Sequence, residues 1–210
     1  MKNGELAQIV AAILITFIIF SLTFVFKGDY YSVAQVFIFS FFIILVYVLA
    51  KKIVAYAFDS SVEHRIWGVY SYGVKPKQHF KKEKPFGLFV PLLFSLVSTG
   101  LVKVATILTY ETRALKHRAA KRFGFYSYAE MTDWHNGLIG ASGIAALLIL
   151  SLVGYLVGFE LLFKMAAYYA FWNMVPVSDL DGTQIFFGSR IVWAVLALTT
   201  FLFAFYGFVL

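Results

Sequence analysis

The chain contains no cysteine, which excludes disulfide staples and thiolate metal sites and leaves the redox compartment unread. Charge is scarce as well. Asp, Glu, Lys and Arg make up 14% of the 210 residues, against about a quarter in an average soluble domain. No hydrophilic block is long enough for a second domain, and there are no internal repeats, low-complexity tracts or Gly/Ser linkers. What is present is apolar: 61% hydrophobic residues and a mean hydropathy of +0.80. Surface of that composition needs lipid as its solvent, so the sequence predicts an integral membrane protein with one membrane domain over residues 1–210.

The apolar runs place spans at about 6–26, 32–50, 137–159, 160–177 and 189–210, judged against the ~20 residues that a crossing helix needs. The first run lacks the short core and cleavage site of a signal peptide and reads as a permanent helix. Asp59 to Pro85 is polar, basic and rich in Tyr and Gly. Within it, Arg65 to Val74 alternates enough for a short strand or interfacial β-hairpin, with Trp67, Tyr70 and Tyr72 at headgroup level. The run 86–110 carries Pro91, Ser98-Thr99-Gly100 and Lys103. Basic residues flank it on both sides: Lys51, Lys52, Arg65, Lys75, Lys77, Lys81, Lys82 and Lys84 before, Arg113, Lys116, Arg118, Lys121 and Arg122 after. A re-entrant hairpin broken near Ser98 to Gly100 keeps both clusters on one side of the membrane, which a simple span does not. Glu111 to Asn136 is expected to start as a helix. Gly140, Ala141, Ser142, Gly143, Ala145 and Ala146 let the next helix pack closely on a neighbour.

The expectation is therefore an all-α integral membrane protein, a helical bundle of five or six membrane segments with a short interfacial β-hairpin and a re-entrant hairpin at 86–110. The net charge of +7 sits mostly in the two basic connections. That pattern marks a cytoplasmic side facing anionic lipid rather than a nucleic-acid surface. The expected location is the plasma membrane of a prokaryote with the basic loops cytoplasmic. The lipid bilayer is one partner, and nucleic acid is not.

The most informative segment is Asn173-Met-Val-Pro-Val-Ser-Asp-Leu-Asp-Gly182. Carboxylates at the edge of a membrane are costly and are functional candidates by default. With Asn173, Pro176, Asp179, Asp181 and Gly182, this segment resembles the Asn-x-x-Pro…Leu-Asp-Gly motif of the site-2 protease family, the intramembrane zinc metalloproteases. Ala141-Ser142-Gly143…Ala146 resembles the Ala-Gly-Pro-x-x-Asn element that opens the family's preceding helix. Glu63-His-Arg-Ile-Trp67 resembles the short strand after its first catalytic helix. The likeness covers Ser32 to Val195 and is specific at Asn173 to Gly182. It implies the family's helical core and a groove that accepts an unwound transmembrane substrate.

In that family two His of a His-Glu-x-x-His turn and the Asp of Leu-Asp-Gly hold zinc, and the Glu activates the bound water. Residues at i and i+4 are needed because they project from one helix face. Here the resemblance places Tyr47-Val-Leu-Ala-Lys51 at that turn, so Tyr47, Val48, Lys51 and Asp181 are vestigial active-site positions. Ser32 to Phe58 contains no His or Glu, and no two of His64, His79, His117 and His135 stand three or four apart. All four histidines fall in polar connections, and His64 and His135 are expected to be interfacial. One carboxylate cannot hold a catalytic zinc, which usually has three protein ligands. No metal, cofactor or catalytic residue is therefore expected.

A buried carboxylate needs a counter-charge, and a Lys51–Asp181 ion pair is expected in place of the metal, with Lys103 as the second candidate cation. In the alternative, Lys51 and Lys52 extend to the headgroups and Asp181 caps the last helix from water. The function expected from the resemblance is a catalytically inactive pseudoprotease that binds a transmembrane partner or serves in a membrane assembly. Its contacts would be helix termini, the Asn173 amide and the strand edge near Trp67. The alternatives are an active intramembrane metalloprotease with an atypical metal site, and a transporter or channel subunit whose polar path runs through Lys103, Asp179 and Asp181.

Overall fold

The computed structural model describes residues 3–71, 79–115 and 131–209. Its elements are α1 (Asn3–Lys27), α2 (Tyr30–Ala57), β1 (Ser60–Ile66), β2 (Val69–Ser71), β3 (His79–Lys84), α3 (Phe86–Val97), β4 (Leu108–Ala114), α4 (Asp133–Val157), α5 (Glu160–Asn173), α6 (Asp181–Gly188) and α7 (Arg190–Val209). Four helices, α1, α2, α4 and α7, are long and apolar enough to cross a membrane, which is compatible with an integral membrane location. At 14 residues, α5 extends only about 21 Å at the helical rise, short of a ~30 Å hydrocarbon core. The length expected for a span at 160–177 is therefore not reached.

Helix α2 does not stop at Ala50. It continues about two more turns to Ala57, because the charges that interrupt its apolar run find partners inside the protein (below). At the centre stands α4, packed against α2, α5, α6 and α7. Small residues permit that crowding. A Cβ on Gly143 would lie 2.6 Å from Lys51 Cε, and one on Gly154 would lie 3.1 Å from the Phe163 backbone nitrogen.

The run 86–110 goes in and comes back. Helix α3 ends at Ser98, the chain reverses through Thr99 and Gly100, both at positive φ, and residues 103–107 return without regular structure to β4. The two ends of the run meet at Trp67, whose N–H donates to Ile107 O (2.8 Å) and whose carbonyl accepts from Gly87 N–H (2.8 Å). This is the path of a hairpin rather than a through-going helix. Its tip is tied to α1, where Thr23 Oγ1 donates to Gly100 O (3.0 Å) and Ser95 Oγ donates to Ile19 O (3.3 Å).

Among the described residues two small antiparallel sheets accompany the helices, where one short β-hairpin was expected. Strand β1 pairs with β4 from Ser60↔Ala114 to Ile66↔Leu108, and β2 pairs with β3 through Val69↔Lys84 and Ser71↔His79. The hairpin expected over Arg65 to Val74 is thus displaced: β1 ends at Ile66, and its partner is the distant β4. Tyr72 to Val74 lie outside the described residues, as do Lys75, Lys77, Lys116, His117, Arg118, Lys121 and Arg122. Glu111 is not the start of a helix. Leu108-Thr-Tyr-Glu-Thr-Arg-Ala114 alternates with period two and has two Thr and one Tyr, which suits a strand once β1 offers a seven-residue ladder. The far edge of β1 is closed by α1, with His64 N–H donating to Glu5 Oε1 (3.3 Å) and Ile66 N–H to Gln8 Oε1 (2.9 Å).

Candidate functional site

Tyr47 and Lys51 stand one turn apart on α2 and point at the same group. Lys51 Nζ lies 2.6 Å from Asp181 Oδ2 and donates to Oδ1 at 2.7 Å, while Tyr47 OH donates to Oδ2 at 2.7 Å. All three residues are fully buried. The expected ion pair is present, the partner of Asp181 is Lys51 rather than Lys103, and Asp181 does not face water. Two aromatic faces complete the cage: the Lys51 ammonium sits 3.8 Å from the Tyr47 ring centroid and 4.1 Å from that of Tyr110. Such contacts stabilise a desolvated cation by roughly 2 kcal/mol. Tyr169 packs edge-on against Tyr47 at 5.4 Å. The two carboxylate oxygens and the two ring faces together satisfy the three N–H donors of the ammonium.

Three elements converge to build this arrangement. Helix α2 supplies the i, i+4 pair. Helix α6 begins at Asp181, where an acidic residue in the first turn also suits the helix dipole. Helix α4 supplies Gly143, whose missing side chain leaves room for the Lys51 stem. Gly182 is required for a similar reason, because a Cβ there would overlap the Met174 carbonyl oxygen, a backbone atom that cannot swing away. Gly182→Ala is expected to destabilise the protein by about 1–3 kcal/mol, as overpacking does, read as a lowered thermal midpoint in detergent. An unchanged midpoint would mean that the turn has slack.

Val48 is buried beside the pair and carries no chemistry. Asn173 is fully buried, and its Nδ2 donates to Ala105 O (3.1 Å) and Tyr169 O (2.8 Å). It therefore staples α5 to the returning arm of the hairpin and is not offered to a partner. Pro176 lies in the non-helical link between α5 and α6. Trp67 is buried, and the neighbouring β1 edge is covered, so neither forms the open edge expected there. Asp179 does reach the surface, with its carboxylate 3.7 Å from Arg65 and its carbonyl accepting from Thr109 Oγ1. It lines a polar cleft of about 640 Å³ with Thr112, Asn136, Ser178 and Gln184, whereas Lys103 lines a different cavity.

Beside the pair lies a second polar group that the sequence did not reveal. Glu5 of α1 takes the Lys52 ammonium at 2.7 Å and the His64 Nδ1 at 3.4 Å. His64 is buried, its ring 6.3 Å from that of Tyr47, so it is not interfacial. His135 is half-buried, its ring edge-on to Phe58 at 5.1 Å, and its backbone N–H meets the Thr132 cap. Burial pushes the His64 imidazole down to about 3, the Lys51 ammonium adds repulsion, and Glu5 opposes both. The unfolded chain thus binds the extra proton between about pH 3 and the ordinary 6.5. Stability from this residue is complete above pH 6.5 and falls as pH drops below it, by up to about 1.4 kcal/mol per unit. Thermal melts between pH 7 and 4.5 are expected to decline, and His64→Leu is expected to flatten that decline. Parallel curves for the two proteins would contradict it.

Among the described residues no three His, Cys, Asp or Glu side chains are grouped to hold a metal ion. Asp181, with both oxygens engaged and no exposure, has no open face for a reacting substrate. No protein-family model, curated protein or solved structure matches the chain.

Proposed function

We propose that this chain is a catalytically inactive, site-2-protease-like membrane protein that binds a transmembrane partner or serves as a subunit of a membrane assembly. The observation that carries the reading is the convergence of Tyr47 and Lys51 on Asp181. The family resemblance assigns those three positions to the two imidazoles and the carboxylate of a zinc site. An ammonium and a phenol there saturate the carboxylate and cannot activate water as a metal does. On this reading the four long helices and α5 lie in the plasma membrane of a prokaryote with the basic connections cytoplasmic, and the 86–110 hairpin re-enters from that side.

On this reading the partner lies in the polar cleft that Tyr110, Glu111 and Thr112 of β4 line. Because His64 N–H turns to α1, its opposite number Tyr110 directs its backbone away from β1, and Tyr110 O already accepts from Gln184 Nε2 (3.2 Å). An extended segment of an unwound transmembrane helix would align there, over the polar cleft that holds Asp179. The test is copurification in mild detergent. A membrane protein retained by wild type is expected to be lost from Thr112→Pro, which removes an outward N–H without touching the β1 ladder, and from Asp179→Lys. Cleavage of a membrane-embedded peptide by the pure chain, abolished by a chelator, would overturn the reading in favour of an atypical metalloprotease.

A further inference from the structure

At the opposite end of α1 from Glu5, a cleft of about 570 Å³ opens between α1, the turn at 98–103, α5 and α7. Its lining combines aromatic rings, Phe24, Tyr168 and Phe205 among them, with the side chains of Lys27, Lys103 and Lys164, and it includes no carboxylate. Lys27 and Lys164 share this lining with Lys103, so like charges face one another across the cleft. Among the described residues none of the three lysines is within ion-pairing distance of an acid. The Lys103 ammonium has only the distant faces of Phe20 and Phe24, at 5.7 and 5.9 Å. This is the reverse of the core, where Lys51 meets a carboxylate and Lys52 meets Glu5. Around this cleft the nearest acid along the chain from Lys164 is Glu160, one turn earlier on α5, and among the described residues it makes no ion pair with any of the three lysines.

Three ammoniums gathered on an apolar wall call for an anion. The rim indicates how that anion arrives. Leu101 and Phe208, both lining the cleft, are 81% and 79% exposed, so its mouth is greasy and belongs against acyl chains. We propose that this cleft binds an anionic phospholipid, with its phosphate seated among Lys27, Lys103 and Lys164 and an acyl chain lying along the aromatic wall. A volume of this size holds a headgroup and part of one chain. The gap between α1 and α7, the first and last helices, would then be filled by lipid, which ties the ends of the bundle together. The assignment does not depend on the pseudoprotease reading.

Native mass spectrometry of the full chain, released from detergent doped with phosphatidylglycerol or phosphatidylcholine of equal chain length, tests it. Phosphatidylglycerol is expected to be retained at least about tenfold better, and Lys103→Gln and Lys164→Gln are each expected to lower its retention roughly fivefold. Lys103→Arg keeps the charge and is expected to keep the lipid. Lys84→Gln, the same charge change at an exposed strand end, is expected to leave retention unchanged. Equal retention of the two lipids, or an equal loss in Lys84→Gln, would overturn the proposal. So would displacement of the lipid by glycerol 1-phosphate at matched concentration, which would mean a soluble-anion site instead.

Discussion

Lys51→Met is expected to cost the protein about 3–5 kcal/mol, the usual consequence of removing one member of a buried pair. The loss is that large because Asp181 is fully buried and would keep only the Tyr47 hydroxyl. Asp181→Asn, which strands the ammonium instead, is expected to cost a similar amount. Combining Lys51→Met with Asp181→Asn removes both charges while leaving an amide oxygen to accept from Tyr47, and should recover all but about 2 kcal/mol, since neutral replacement of a buried pair is often tolerated. For a chain of this size the single variants should melt roughly 10–15 °C lower in detergent. A Lys51→Met protein that melts with the wild type would show that the pair contributes little.

Replacing both Tyr47 and Lys51 by His is expected to create a metal site, in a protein that is destabilised by the loss of the Lys51 cation until zinc binds. The two side chains already reach one carboxylate, at 2.7 and 2.6 Å, so imidazoles at these positions would bring two nitrogens and an oxygen about one point. Zinc accepts that set at about 2.0–2.2 Å with a fourth position open. Purified Tyr47→His/Lys51→His protein should carry one zinc per chain, lose it to a chelator, and gain about 2.7 kcal/mol of stability at zinc concentrations a hundredfold above Kd. The wild type and Tyr47→His alone should take up none. A folded double variant that stays metal-free would sink the equation of this cage with a zinc site.

The part of the site that could be read from sequence was the part carried by a motif. Asp181 and Gly182 stand out in Asn173 to Gly182, and the resemblance to the site-2 protease family, anchored on Glu63 to Trp67, implies Tyr47 and Lys51. Tyr110, Tyr169 and Glu5 did not stand out, because each is an ordinary residue whose role comes from a distant packing partner. Tyr110 meets Lys51 only after β4 has paired with β1. The end of α2 was misplaced for a related reason. Hydropathy counts each lysine as solvated, whereas Lys51 and Lys52 are both neutralised by carboxylates from other helices. Strand β4 was hidden because half of it belongs to an apolar run and half to a charged one, and its ladder partner lies some fifty residues upstream. The reversal within 86–110, whose two ends meet at Trp67, was signalled by Ser98-Thr99-Gly100 in the middle of the run.

The ion pair joins residues 130 positions apart in the chain, and that separation matters during synthesis. At about 5–20 residues per second, a ribosome delivers Lys51 roughly 7–26 s before Asp181. If α2 crosses a bilayer, as proposed, it enters with an orphan cation that the long lysine stem relieves by reaching back to the headgroups. The arrival of α6 would then draw that charge inward and seat α2 at its final depth, so a polar turn translated much later completes the setting of α2. In chains stopped before residue 181, Lys51 is expected to react with a water-soluble amine reagent. Protection there would mean that α2 settles without its carboxylate.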